Sequence, residues 1–257
     1  LIGSLLSKFH SAEVGLPGGC NLGARPIDQT LKGFTTLGAN VIEKDNKFII
    51  SADELIGGHV YLDMPSVGAT INIMLAAVGA EGTTVIENAA MEPEIVNVAS
   101  YLISMGSKVT GAGTSTIIIE GNQDLDNGVS EVFPDRIEAA TYVILGALIG
   151  KDLHIKGLIK SHIDSVLTKL KDCNVNFVSY NDEVIISKCD NIIPTSLTTQ
   201  VYPGFPTDVQ QAFTVLLTQA NGKSTITETI YESRFKSDEL LNQMGADTLA
   251  NKNILTL

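Results

Sequence analysis

The run Leu16-Pro17-Gly18-Gly19-Cys20-Asn21-Leu22-Gly23-Ala24-Arg25-Pro26 sets a thiol among three glycines, five residues ahead of an arginine. Glycines let backbone N–H groups approach a ligand closely. A nearby guanidinium favours the thiolate and can grip a phosphate or carboxylate through two parallel hydrogen bonds. The same residues also suit a tight turn whose cysteine only fills space. The chain has three arginines, Arg25, Arg136 and Arg234, against fourteen lysines, and each falls at an expected loop or helix start. The planar, permanently charged fork suits carboxylate and phosphate better than an ammonium does. That placement favours an anionic substrate held between structural units, with surface salt bridges as the plainer reading.

Two further segments carry polar groups at helix starts. Ser66-Val67-Gly68-Ala69-Thr70 follows a strand-like Val60-Tyr61-Leu62. It offers free N–H groups and the positive end of a helix dipole to a phosphate, or an ordinary N-cap. Tyr202-Pro203-Gly204-Phe205-Pro206-Thr207-Asp208 is a stiff turn that delivers Asp208 to the first turn of a helix. Burial among apolar groups would raise the pKa of Asp208 and suit it to act as a general base.

These residues are carried by a repeat of about 70 residues. The second copy is the clearest: a helix with Ile71, Met74, Leu75 and Val78, a strand Thr83–Glu87, a helix with Ile95, Val98, Ala99 and Leu102, then Met105-Gly106-Ser107 and a hairpin. The third has a helix through Ile137, Ile144, Leu145 and Leu148, a strand Leu153–Lys156, a helix with Ile163, Val166, Leu167 and Leu170, and a hairpin over Val175–Ser187. The fourth carries Phe213, Leu216 and Leu217, a strand Ser224–Glu228, and Leu240, Leu241 and Met244-Gly245-Ala246. The first runs from Leu1 to Ser51 with Leu37-Gly38-Ala39 in the equivalent place. Arg25 and Arg234 hold nearly the same place in copies one and four. The turns Lys44-Asp45-Asn46, Gly111-Ala112-Gly113 and Asn181-Asp182 fall in step, so the glycine run at 111–113 reads as a hairpin turn and not as a phosphate loop. Units of two helices and several strands favour an α/β arrangement of helices packed on sheets over an open superhelix.

Composition sets limits on function. With 257 residues and 44% hydrophobic content the chain can bury one large core or two small ones. A net charge of −12 and no basic cluster argue against a nucleic-acid or membrane-surface partner. Three cysteines far apart suggest no disulfide framework, and no apolar run approaches a membrane span, so the compartment reads as cytoplasmic. The chain opens at Leu1, without a methionine or signal peptide, inside the apolar helical pattern Ile2, Leu5, Leu6, Phe9. It reads as an internal piece of a longer protein.

The loop 16–28, Pro65–Thr70, Glu87-Asn88-Ala89-Ala90 with Glu92-Pro93-Glu94, Pro134–Ala139, and Tyr202–Asp208 with Glu232-Ser233-Arg234-Phe235 resemble the UDP-N-acetylglucosamine 1-carboxyvinyltransferase family, in order along the whole chain. The shikimate-pathway enolpyruvyl transferases share the repeats but lack the cysteine loop. The resemblance implies transfer of the enolpyruvyl group of phosphoenolpyruvate to the 3-hydroxyl of UDP-N-acetylglucosamine, with release of phosphate, at the first committed step of peptidoglycan synthesis. It implies that Cys20 is the general acid for the vinyl carbon, and the thiol that fosfomycin modifies, and that Asp208 takes the proton of the sugar hydroxyl. Arg25 would face phosphate; Pro26, Ile27, Asp28 and Gln29 would shape the uridine pocket; Ser66, Val67 and Gly68 would lie near the diphosphate. Thr207 joins the substrate-binding set, Ile230 and Tyr231 would lie beside the sugar, Arg234 would help hold the phosphoenolpyruvate carboxylate, and Arg136 lies near the domain crossover. No cofactor and no metal are implied, and the full-length protein is expected to be a monomer.

The family fold is an inverse α/β barrel of two pseudo-threefold domains, six units of two helices and three to four strands each. Four of the six are expected here, units one and two in residues 1–132 of the first domain and three and four in residues 133–257 of the second. Missing are a lysine-asparagine motif near the family's amino terminus, an arginine just before Leu1 and the late arginines. Some members carry a lysine near the position of Met64. The segment alone is therefore expected to be inactive. The competing readings are an inactive nucleotide-sugar-binding remnant and a shikimate-pathway-type transferase. Among the thiols, Cys20 is expected to react first, since Cys173 reads as replacing the glycine before a strand and Cys189 as ending an amphipathic hairpin.

Overall fold

The computed structural model describes residues 1–15, 27–231 and 234–257. Cys20, Arg25 and Pro26 lie outside the described residues, as do Glu232 and Ser233 of the last motif. The chain divides into two units, one ending at Phe133 and the other beginning at Pro134.

The first unit holds two copies of the repeat. Copy one contains α1 (Ile2–Phe9), β1 (Ser11–Gly15), α2 (Asp28–Thr36), β2 (Asn40–Lys44) and β3 (Lys47–Ser51). Copy two contains β4 (His59–Tyr61), α3 (Val67–Ala77), β5 (Thr83–Glu87), α4 (Pro93–Ser104), β6 (Lys108–Thr110) and β7 (Thr116–Glu120). In the second unit, copy three contains α5 (Arg136–Ile149), β8 (Leu153–Lys156), α6 (Asp164–Asp172), β9 (Phe177–Ser179) and β10 (Glu183–Ile186). Copy four contains β11 (Ser196–Thr198), α7 (Gln210–Leu217), β12 (Thr225–Thr227), α8 (Asp238–Gln243), β13 (Leu249–Asn251) and β14 (Ile254–Thr256).

Sheet order confirms the repeat. The four sheets run β1-β3-β2, β4-β5-β7-β6, β8-β10-β9 and β11-β12-β14-β13. In each, the strand after the first helix pairs with the far strand of the hairpin. Copies two and four add one leading strand, β4 or β11, parallel to β5 or β12. The sheets are separate and open, and none closes into a barrel among the described residues. Their other ladders are antiparallel, a form that packs one face on a core and leaves the other to water.

The clearest sequence signal of the repeat is physical. Each second helix ends with a residue in the left-handed region: Gly38 at φ 90°, Gly106 at 101°, Asn174 at 65° and Gly245 at 97°. The next residue donates its N–H back five positions, as Ala39 does to Phe34, Ser107 to Leu102, Val175 to Leu170 and Ala246 to Leu241. This closure satisfies orphan helix carbonyls and demands a residue that tolerates positive φ. The third copy places Asn174 there, asparagine being a side chain that enters this region at low cost. Cys173 therefore does not replace the glycine; it is the preceding residue, at φ −85°, and is buried.

Each unit has its own apolar core. In the first, α3 packs against α1, α2 and α4, burying Ile73, Met74, Ala76 and Ala77 with Phe34, Leu62 and Ile95. Gly3 makes the α1 contact possible, since a Cβ there would collide with the backbone carbonyl of Asn72. In the second unit α5 packs on α7, and the core joins Val143, Ile144, Leu167, Phe213 and Leu216. Phe205 meets Phe213 edge to face with centroids 5.2 Å apart, anchoring the stiff turn ahead of α7 on the core.

Candidate functional site

Within the first unit, the start of α2 is tied to the segment that leads into α3. Gln29 is buried, and its amide bridges both sides: Oε1 accepts from Asp63 N–H at 2.8 Å, while Nε2 donates to Asp63 Oδ2 at 3.0 Å and to Asp28 Oδ2 at 2.9 Å. Lys32 Nζ donates to the other Asp63 oxygen at 2.8 Å. Lys32 and Gln29 hold the Asp63 carboxyl below its ordinary range, because both stabilise the charged form. Asp28 and Gln29 are thus brought to one polar cluster with Asp63, three residues before Ser66, the N-cap of α3. The sequence reading missed Asp63 and Lys32. A polar residue directly after the strand β4 and a lysine one helical turn beyond Asp28 were the available signals.

At that α3 start, Ser66 is the N-cap, its hydroxyl accepting from Ala69 N–H at 3.3 Å. Val67 opens the helix and Gly68 faces open space, with nothing near the position of a Cβ. The cap uses the Ser66 side chain, so the groups this turn has to offer an anion are backbone N–H groups of the first turn. Ile27 is the residue immediately before α2.

The second unit brings the other candidates together. Pro206 leads into a 3₁₀ turn over Thr207–Val209 that precedes α7, so Asp208 sits ahead of the α-helix and not in its first turn. Asp208 is not buried: its side chain is 58% exposed. The expected apolar burial is therefore absent, and the aspartate is instead gripped by an arginine. Arg234 Nη2 donates to Asp208 Oδ1 at 2.8 Å, with the Arg234 side chain only 8% exposed. The Arg234 guanidinium also lies 5.5 Å from the centre of the Tyr231 ring. Its Nε is buried and has no hydrogen-bond partner among the described residues, a donor directed at nothing the described chain supplies.

Behind this pair stands Glu228, which sequence reading passed over as the end of a strand. Its carboxylate accepts from Thr199 Oγ1, Thr207 Oγ1, Ile230 N–H and Tyr231 N–H at 2.8, 2.9, 2.7 and 3.2 Å. Thr207, Ile230 and Tyr231 are thereby joined through one buried group. The signal was present: Ser224, Ile226 and Glu228 alternate on the buried face of the β12 segment, so a glutamate occupies a core position. Arg136 opens α5 with its guanidinium carbon 5.6 Å from the centre of the Tyr202 ring, linking that helix to the turn ahead of Asp208.

Of the other thiols, Cys173 is pushed up to about 11, chiefly by burial and then by Asp172. Cys189 is partly buried, with its Sγ 3.5 Å from the carbonyl of Asn174. No helix among the described residues is long and apolar enough to cross a membrane.

Known proteins resemble this chain in sequence and in fold. The chain is 52% identical over 246 residues to UDP-N-acetylglucosamine 1-carboxyvinyltransferase 2 of Shouchella clausii and 50% identical over 248 residues to that of Bacillus subtilis; each alignment covers 96% of this chain and 58% of the relative. A similar relative in Listeria monocytogenes is 50% identical over 245 residues. The chain thus spans somewhat over half the length of these curated relatives. Among solved structures, the enolpyruvyl transferase NikO from Streptomyces tendae superposes with a TM-score of 0.85 at 23% identity, covering all of this chain and 62% of that one. EPSP synthase from Acinetobacter baumannii gives 0.66 at 20% identity, again over all of this chain and 62% of the other. At such identities these structures show the fold, which is that of the enolpyruvyl transferases. The family model for EPSP synthase (3-phosphoshikimate 1-carboxyvinyltransferase) matches residues 1–257, so the chain belongs to that family throughout its length.

Proposed function

We propose that the protein carrying this chain transfers the enolpyruvyl group of phosphoenolpyruvate to the 3-hydroxyl of UDP-N-acetylglucosamine and releases phosphate. The observation that carries this reading is the 52% identity, over 96% of the chain, to a relative bearing that activity in its name. In this reading the sugar oxygen bonds to C2 of the enol phosphate while Asp208 takes the hydroxyl proton and Cys20 protonates C3. Phosphate then leaves C2 as C3 gives its proton back. The chemistry requires an acid, a base and charge neutralisation. Arg234, held against Asp208, carries the planar fork that suits the phosphoenolpyruvate carboxylate.

Arg25 faces phosphate, Pro26, Ile27, Asp28 and Gln29 shape the uridine pocket, and the α3 start at Ser66, Val67 and Gly68 lies along the diphosphate. Ile230 and Tyr231 lie beside the sugar, and Thr207 belongs to the substrate-binding set. Residues 1–132 and 133–257 belong to the first and second enolpyruvyl transferase domains. The step is the first committed one of peptidoglycan synthesis, in the cytoplasm, which links the protein to cell shape and cell division, and it is the target of fosfomycin. The intact enzyme works as a monomer on these two small molecules.

Phosphate release by the intact protein tests this reading. Release that requires both phosphoenolpyruvate and UDP-N-acetylglucosamine is expected. Release that instead requires shikimate 3-phosphate, or binding of the nucleotide sugar with no turnover, would reject it.

A further inference from the structure

Glu228 is 2% exposed, and four donors from three separate segments converge on its two oxygens. An ionised carboxylate can only accept: Thr199 Oγ1 and the Ile230 and Tyr231 N–H groups meet Oε1, and the Thr207 hydroxyl meets Oε2. Thr199 follows β11, Thr207 opens the turn that bears Asp208, and Ile230 and Tyr231 lie in the segment leading to Arg234. The parallel register of β11 on β12, with Thr198 opposite Thr227, brings Thr199 beside Glu228. Around this point Thr199 Oγ1 also accepts from Thr229 N–H at 3.0 Å, and Asn253 Nδ2 donates to the Glu228 carbonyl at 3.1 Å. The glutamate is therefore fixed at both its backbone and its side chain, and its carboxylate is shared by the Thr207–Asp208 turn and the 230–231 segment.

We propose that Glu228 is a positioning residue for the transfer reaction, holding Thr207, and through it Asp208, in register with Ile230 and Tyr231. This rests on the reading of Asp208 as the base. The hydrogen bond also sets the polarity of the Thr207 hydroxyl: its proton is committed to Glu228 Oε2, so the oxygen can only accept from a ligand. A purely structural buried carboxylate would have its effect on folding alone. A positioning carboxylate acts on the step in which Asp208 must meet a proton in one geometry, where a displacement of about 1 Å can cost roughly 100-fold.

The test is a double-mutant cycle in the intact enzyme with Glu228→Gln and Thr207→Val, read by steady-state phosphate release. Glutamine can keep one oxygen for the Ile230 and Tyr231 amides and turn its NH2 toward Thr207, reversing that hydrogen bond. The expected result is a roughly 10- to 100-fold fall in kcat for each single variant, with the KM for UDP-N-acetylglucosamine changing much less. The double variant should lose little more than the worse single one, because both changes break the same link. Wild-type kcat in a folded Glu228→Gln enzyme, a change confined to KM, or losses that multiply would each overturn the proposal. Thr207 is at the partly exposed rim, so should Glu228→Gln fail to fold, Thr207→Val with an unchanged kcat overturns it just as well. Amide hydrogen exchange at Ile230 and Tyr231 without ligand separates this from the reaction itself. Should the unmodified enzyme release no phosphate, the reaction is rejected, and unchanged exchange in either variant then rejects the link as well.

Discussion

Arg234 reaches across 26 residues of sequence to place Nη2 2.8 Å from Asp208 Oδ1, the guanidinium almost buried and the carboxylate open to solvent. Two groups with separate expected roles, a base and a carboxylate holder, are thus one ion pair. The buried partner is the one that needs compensation, since an unpaired guanidinium in the interior is far more costly than an exposed aspartate. In the proposed reaction the substrate would meet this pair already formed, with Oδ2 of the aspartate making no hydrogen bond among the described residues.

Arg234→Lys keeps the charge and loses the fork. We expect kcat/KM for phosphoenolpyruvate to fall by about tenfold or more in the intact enzyme, because an ammonium cannot serve Asp208 and a substrate carboxylate from one plane. Initial rates of phosphate release against phosphoenolpyruvate concentration measure it. Near-normal kcat/KM would leave Arg234 only as a structural tie for Asp208.

Asp208→Asn preserves an oxygen to accept from Arg234 while removing the base. Turnover should drop roughly 10²- to 10⁴-fold, with a much smaller change in UDP-N-acetylglucosamine affinity. Calorimetric titration beside the turnover assay separates the two. Retained turnover would make Asp208 a fixture of the turn.

Thiol reactivity should follow Cys20, then Cys189, then Cys173. At pH 8 a thiol with its pKa near 11 is about one part in a thousand thiolate, and Cys173 is also shielded from reagent. Peptide mapping after brief iodoacetamide treatment of the native protein should find Cys173 unmodified. Labelling of Cys173 as fast as Cys20 would contradict an activated loop cysteine.

The 257-residue segment by itself should associate. α1 exposes Leu5 and Phe9 together with Leu1, and α5 exposes Tyr142, Leu145 and Ile149 on one side, stripes of the kind that stable domains cover. Sedimentation of the purified segment should show concentration-dependent association, relieved by Phe9→Glu together with Ile149→Glu. Calorimetry should show weak UDP-N-acetylglucosamine binding at most, and no phosphate release is expected. Measurable release would establish that four repeat units suffice for catalysis.

The amino-acid sequence alone determined what is local. Helical and strand periods marked the repeated elements; Thr83–Glu87 and Leu153–Lys156 appear as strands with the expected bounds, and the turns at 45–46 and 111–113 carry the positive φ values their residues suit. These features are written in neighbouring residues, because periodicity and turn chemistry act over a few positions. The family resemblance was legible for the same reason, its motifs being short and in order. Tertiary structure decided what depends on partners far along the chain. The Asp208–Arg234 pair, the Gln29–Asp63 bridge across 34 residues and the four-fold hold on Glu228 all follow from sheet order and register. In the sequence, alternation with Ser224 and Ile226 marks Glu228 as facing the core, but only the pairing of β12 with β11 brings its side chain to Thr199 and Thr207. Burial was decided at the same level: an aspartate at a stiff apolar turn is exposed, and the arginine beside it is the group that folding hides, because the core closes over Phe205 and Phe213 while the turn stands at its rim.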